Sequence, residues 1–177
     1  SYSASGNSVY SLTSNVPNLN INNNASVVGM NFLASTTVGS VITNNSIYGL
    51  SNSNASSAVC VSGMYYSTPV SAGTEISRNI IHSFSTVSNS AVQHGLFFPN
   101  TGSAFIMNNM IRLGIDTSGN SITSSPILYG IRKSSSGNAS IYFNSVYIGG
   151  TGVTSNVSTS AFYRSTAGSA DTVMNNI

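Results

Sequence analysis

The sequence predicts an all-β fold: a right-handed parallel β-helix, or solenoid, of about five coils of 30–38 residues with three short strands in each. Three observations lead there. An asparagine recurs in nearly the same frame at Asn7, Asn45, Asn79, Asn109, Asn144 and Asn176, in steps of 38, 34, 30, 35 and 32 residues. The text around it repeats, as in Val-Ile-Thr-Asn-Asn-Ser-Ile-Tyr (41–48), Glu-Ile-Ser-Arg-Asn-Ile-Ile-His (75–82), Phe-Ile-Met-Asn-Asn-Met-Ile-Arg (105–112) and Ser-Ile-Tyr-Phe-Asn-Ser-Val-Tyr (140–147). Finally, Ser, Thr and Asn make up 75 of 177 residues while 40% of the chain is hydrophobic. That balance suits a folded core under a coat of hydroxyls and amides, because the Val, Ile, Tyr and Phe residues recur in phase, unlike those of a disordered polar chain.

The first strand of each coil precedes the asparagine. Its aliphatic residue three positions back (Ile42, Ile76, Ile106, Ile141, Val173) belongs inside, and so does the one two positions after (Val9, Ile47, Ile81, Ile111, Val146). Their parity is unequal, so a continuous strand would send them to opposite faces. A bend at the asparagine itself reconciles them, since Asn tolerates the left-handed conformation. Stacked at the strand spacing of roughly 4.8 Å, the amides form a ladder from coil to coil. The third strand opens at a glycine set before a large apolar residue, at Gly29, Gly63, Gly95 and Gly130, with Ala161 in the last copy. There the backbone turns or approaches a neighbour where a Cβ would clash. Glycine to asparagine takes 14–16 residues and asparagine to glycine 16–22, so loops protrude on one side of the coil.

Other solenoids fit less well. A hexapeptide left-handed helix turns in roughly 18 residues, leucine-rich repeats need a Leu framework, and a propeller blade needs four strands. No window carries apolar residues at helical spacing. Residues 1–177 therefore read as one β-helix domain. It begins without Met and ends mid-repeat, with no polar cap at either end, which suggests a segment of a longer chain or a subunit that stacks.

The runs Asn-Ser-Ile-Tyr-Gly-Leu-Ser, Val-Ser-Gly-Met-Tyr-Tyr-Ser and Ser-Ile-Tyr-Phe-Asn-Ser-Val-Tyr-Ile-Gly-Gly-Thr resemble the β-helix repeats of very large secreted surface proteins of the Bacteroidota. The resemblance spans essentially the whole chain. It implies export by the type IX route, display at the cell surface, and a fold shared with the pectate-lyase-like superfamily. Fold alone carries no function over.

Chemistry is sparse. Only three acids are present, Glu75, Asp116 and Asp171, whereas glycoside hydrolysis needs two carboxylates within roughly 10 Å. Glu75 and Asp171 share a similar phase about three coils apart, roughly 14 Å. His82 and His94 fall on different strands, and Cys60 reads as a small core residue. No catalytic residue, cofactor site or metal site is expected. A net charge of +2 does not suggest nucleic acid, and no apolar run is long enough to span a bilayer.

Columns of equivalent residues carry more. Three positions after the asparagine stand Tyr10, Tyr48, His82, Arg112 and Tyr147, a stripe for ligand contact or packing. Two past the glycine stand Asn31, Tyr65, Phe97, Arg132 and Tyr163, read as a second surface stripe. Lys133 and Arg164, at equivalent positions, read as a small solvated basic patch. The expected role is a non-catalytic extracellular or cell-surface structural or adhesive solenoid, an adhesin-like stalk or filament. Its partners would be further coils of the same chain or a second copy stacked end to end, together with surface glycans. The alternative is a carbohydrate-binding or polysaccharide-degrading β-helix that uses the aromatic stripe.

Overall fold

The computed structural model describes residues 2–18, 20–22, 24–33, 39–55, 58–67, 73–99, 102–151, 158–166 and 170–177. They form an all-β parallel solenoid, with no helix among the described residues. Strands are numbered in chain order. Sheet A stacks β1 (Ser3–Ser5), β5 (Val41–Thr43), β9 (Thr74–Ser77), β13 (Ala104–Met107), β16 (Ala139–Tyr142) and β19 (Thr172–Met174). Sheet B stacks β2 (Ser8–Tyr10), β6 (Ser46–Tyr48), β10 (Ile80–His82), β14 (Met110–Leu113) and β17 (Ser145–Ile148). Sheet C holds β3 (Thr13–Ser14), β7 (Ser51–Asn52) and β11 (Ser85–Thr86). Sheet D stacks β4 (Val27–Phe32), β8 (Cys60–Tyr66), β12 (Val92–Phe98), β15 (Ile127–Lys133) and β18 (Thr159–Arg164).

Two expectations are refined. The solenoid completes about four turns through all of its long sheets, because the five strands of sheets B and D are separated by four steps, while the six strands of sheet A carry the ladder through a fifth. A coil has three to four strands, not three, because two-residue strands follow a second corner in the first three coils. That corner is formed by Ser11, Gly49 and Ser83, all with φ near 60°. In the fourth coil β14 runs one residue further, turns at Gly114 (φ 84°) and leads into an antiparallel bridge between Ile115 and Ser121.

The bend between sheets A and B is also relocated. None of the six repeating asparagines has positive φ; the left-handed residue is the one before each, namely Gly6, Asn44, Arg78, Asn108, Phe143 and Asn175, with φ of 52–69°. The physical reason is a division of labour. One residue must reverse the parity of the chain, and the next needs ordinary backbone to turn its amide inward. Gly and Asn suit the first position, whereas Arg78 and Phe143 adopt it against a steric cost of roughly 1–2 kcal/mol. Both keep their N–H bonded to the next turn, at Met107 O (3.2 Å) and Met174 O (3.3 Å).

The core is filled from three sides. Ile42, Ile76, Ile106 and Ile141 of sheet A meet Ile47, Ile81 and Ile111 of sheet B and Val61, Met64, Leu96, Leu128 and Ile131 of sheet D. Val9 and Val146 pack on this cluster while partly buried. Val173, expected inside, is 44% exposed because β19 is the outermost strand of sheet A, with neighbours on one side only. The sheet-D glycines answer to close approach and not to a turn. A Cβ on Gly63 would lie 2.6 Å from Ile81 Cγ2 and 2.7 Å from Gly95 O, and Gly29, Gly95 and Gly130 are hemmed in the same way by Ile47, Ile111 and Val146. Each packs against the branched residue of the following sheet-B strand. Ala161 lies after the last sheet-B strand among the described residues.

Candidate functional site

The asparagine ladder runs through the corner between sheets A and B. Nδ2 of each donor meets Oδ1 of the asparagine one turn on, from Asn7 to Asn45, Asn79, Asn109, Asn144 and Asn176, at 2.9–3.0 Å throughout. The same Oδ1 accepts the backbone N–H of the preceding asparagine at 2.9–3.1 Å. The second Nδ2 proton reaches back to a carbonyl of the previous turn, as from Asn79 to Ile42 O and from Asn109 to Ile76 O. Asn45, Asn79, Asn109 and Asn144 are buried with every amide atom engaged, and Asn7 and Asn176 are exposed. Burial makes this arrangement obligatory, since an unpaired amide there would forfeit its solvation.

On the outer face of sheet B the register brings Tyr10, Tyr48, His82, Arg112 and Tyr147 into one column. The column is not uniform. Tyr10 stacks on Tyr48 and Tyr48 on His82, each pair with ring centres 5.2 Å apart and nearly parallel planes. The stack then ends at Arg112, whose Nη2 donates to Ser83 Oγ at 2.8 Å; His82 Nδ1 meets the same hydroxyl at 2.7 Å. Burial and the neighbouring guanidinium both lower the pKa of His82, burial more strongly, so it is neutral near pH 7. Tyr147 leans instead over Gly149, where a Cβ would fall 2.1 Å from its ring.

Beside this column lies a second one absent from the sequence reading. The residue directly after each ladder asparagine reads Ser8, Ser46, Ile80, Met110, Ser145 and Ile177. Ile80 is 44% and Met110 57% exposed. With Ile81, Ile111 and Val146 beneath, the two columns wall a groove of about 420 Å³. The signal was available, because the position is serine at Ser8, Ser46 and Ser145 and apolar at Ile80, Met110 and Ile177.

The second stripe is corrected. Asn31, Tyr65, Phe97, Arg132 and Tyr163 do align across sheet D, but Tyr65 and Phe97 are buried. Arg132 lies over Phe97, Tyr129 and Tyr163, its guanidinium carbon 4.8, 5.2 and 5.7 Å from their centres. Its Nη1 donates to His94 Nε2 at 3.0 Å, which leaves the proton of neutral His94 on Nδ1, 3.7 Å from Cys60 Sγ. His94 is fully buried. Burial, and secondarily Arg132, lowers its pKa to about 3, while burial pushes the Cys60 thiol up to about 12 against the pull of Arg132. The pair rests as imidazole and thiol, the opposite of an activated nucleophile.

This burial carries a pH prediction. The folded-state pKa of His94 lies below the unfolded value near 6.5, so between about 6.5 and 3 the unfolded chain binds the extra proton. Stability is therefore fully present above 6.5 and falls as pH drops, by up to about 1.4 kcal/mol per unit. Urea melts at pH 7, 5.5 and 4 are expected to show that slope. His94→Gln should flatten it; an equal slope in that variant would assign the acid lability elsewhere.

The basic patch is corrected as well. Lys133 is fully buried, and its Nζ lies 3.4 Å from Asp171 Oδ1 while Arg164 Nε lies 3.4 Å from Oδ2. Lys133 continues a corner column in which Phe32, Tyr66 and Phe98 stand on the earlier coils. Burial lowers its pKa and Asp171 draws it back up. The other acids are engaged separately: Glu75 accepts from Ser77 Oγ on sheet A, and Asp116 Oδ1 caps the N–H groups of Ser118 and Asn120 in the loop after β14. No two carboxylates meet among the described residues, and no group of three potential metal ligands occurs there.

No protein-family model, curated protein or solved structure matches this chain. The functional reading therefore rests on its own residues.

Proposed function

We propose that this chain is a non-catalytic structural or adhesive β-solenoid, working at the cell surface or outside the cell as part of a long stalk or filament. The observation that carries the reading is the ladder: five identical steps with one polarity, each donating Nδ2 forward and presenting Oδ1 backward. A directional, self-repeating step is extended by adding turns of the same kind, from this chain or from a second copy. The low charge and the hydroxyl and amide coat favour such association. The resemblance to secreted Bacteroidota repeats supports the location. Separate engagement of the three acids supports a non-catalytic role.

The carbohydrate reading has less support. Sugar rings stack on free aromatic faces, and between Tyr10, Tyr48 and His82 those faces are taken by one another. Partners are accordingly further coils first and surface glycans second; nothing in the charge favours nucleic acid, and no described helix is long and apolar enough to cross a membrane.

The test is sizing chromatography with electron microscopy over a range of concentrations. Rods that lengthen with concentration are expected, and Asn7→Arg, which sets a charge where a further amide must stack, should shorten them. Rods indifferent to that substitution, or a strict monomer that is retained on a glycan array through Tyr10 and Tyr147, would overturn the stacking reading.

A further inference from the structure

The outer groove of sheet B has a composition that stacking does not explain. Its apolar wall is made by Ile80 and Met110 on adjacent coils and by Ile177 at the last turn, whereas the same position is serine at Ser8, Ser46 and Ser145. Exposed aliphatic surface is unfavourable in water, so an apolar strip inside a hydroxyl-rich column marks a place where something apolar lies. The facing wall holds Arg112. Ser83, itself buried, accepts from one amino group of Arg112, and Arg112 as a whole is exposed, with further N–H donors on the same guanidinium. No carboxylate of the protein satisfies them: both ion pairs among the described residues belong to Asp171, Glu75 lies on sheet A, and Asp116 lies in the loop after β14.

We propose that this groove binds a medium-chain carboxylate, its acyl chain laid along Ile80, Met110 and Tyr147 and its carboxylate on the guanidinium of Arg112. A planar fork of donors matches a carboxylate in a bidentate manner. The volume of about 420 Å³ falls in the range of small-molecule sites and spans three coils. Neutral His82 beside Arg112 adds no second charge, which fits a singly charged head better than a phosphate ester. A second copy docked face to face is a poorer occupant, because it would set its own Arg112 against this one with no acid on either face. The groove runs along the outer flank of sheet B from β10 to β17 and reaches Ile177 at its far end, and its occupancy by a carboxylate is read separately from the length of any rod.

The experiment is a titration of the methyl-labelled intact chain with decanoate, below its micellar concentration, followed by NMR. Saturable shifts confined to the Ile80 and Met110 methyls and their neighbours are expected. Arg112→Gln should weaken binding at least tenfold with an unchanged thermal melt, Met110→Ser should weaken it as well, and decanol, with the same chain and no charge, should bind at least tenfold more weakly. Absence of saturation would overturn the proposal. So would equal binding of decanol and decanoate or indifference to Arg112→Gln, either of which would leave only non-specific apolar adhesion. Broadening of the same methyls with protein concentration, in the absence of decanoate, would assign the groove to a second copy and overturn it too.

Discussion

Asn79→Ala is expected to lower the unfolding free energy by about 5 kcal/mol, whereas Asn7→Ala should cost less than about 1 kcal/mol. The difference lies in what is left behind. Removing the Asn79 amide strips Asn45 of the acceptor for both its N–H and its Nδ2, at 3.0 and 2.9 Å, and takes a donor from Ile42 O. Each orphaned buried group costs roughly 1–3 kcal/mol, because water cannot reach it. Asn7, exposed at the first turn, has water in reach of its amide. Asn79→Asp distinguishes shape from donor chemistry. The carboxylate still accepts from Asn45, yet it faces Asn109 Oδ1 and Ile42 O with no proton to offer. It should be at least as damaging as alanine despite equal size. Urea unfolding followed by circular dichroism reads the series, and Asn144→Ala, one turn from the last asparagine, gives an intermediate case should the Asn79 variants fail to fold. Equal losses at Asn7 and Asn79 would show that the ladder contributes nothing specific.

Asp171→Asn carries the second large expectation, a loss of about 3–5 kcal/mol. The asparagine can still accept the Ala139 N–H that Asp171 Oδ1 holds at 2.8 Å, so the backbone contact survives and the charge alone is removed. Lys133, fully buried, would then lose the counter-ion of its ammonium, whose Nζ also donates to the carbonyl of Ser135 at 2.6 Å. A buried charge without its counter-ion is far more costly than the intact pair is favourable. The double variant Lys133→Met, Asp171→Asn should therefore recover most of the loss, since Met fits a corner column that is aromatic in the earlier coils. Thermal or urea unfolding of the two single variants and the double variant closes the cycle. A coupling energy near zero would mean that the pair is solvated after all, as the charge pattern by itself suggested.

These two sites differ in how far the sequence announces them. The ladder is legible because one residue type recurs at one phase with the same aliphatic neighbours, and any stacked-coil geometry must then superpose it. Asp171 and Lys133 are 38 residues apart, and nothing in the text around either points to the other. Their meeting depends on a bridge between sheets D and A that no local pattern encodes. The polar strands of sheet C were invisible for a related reason: a two-residue strand such as Thr13–Ser14 or Ser85–Thr86 has no room for an alternation.

The sequence by itself determined the all-β solenoid, its period, the ladder asparagines and the aliphatic columns of sheets A and B, because side chains repeated at equal phase must stack once the coils do. Only the tertiary structure decided which face of sheet D is covered, and with it the fate of His94, Tyr65 and Phe97. The same holds for the left-handed corner, placed one residue before each ladder asparagine, and for the groove between Ile80, Met110 and Arg112. Periodicity reports which residues share a column, whereas burial depends on what packs over that column, and that is a property of the assembled coils.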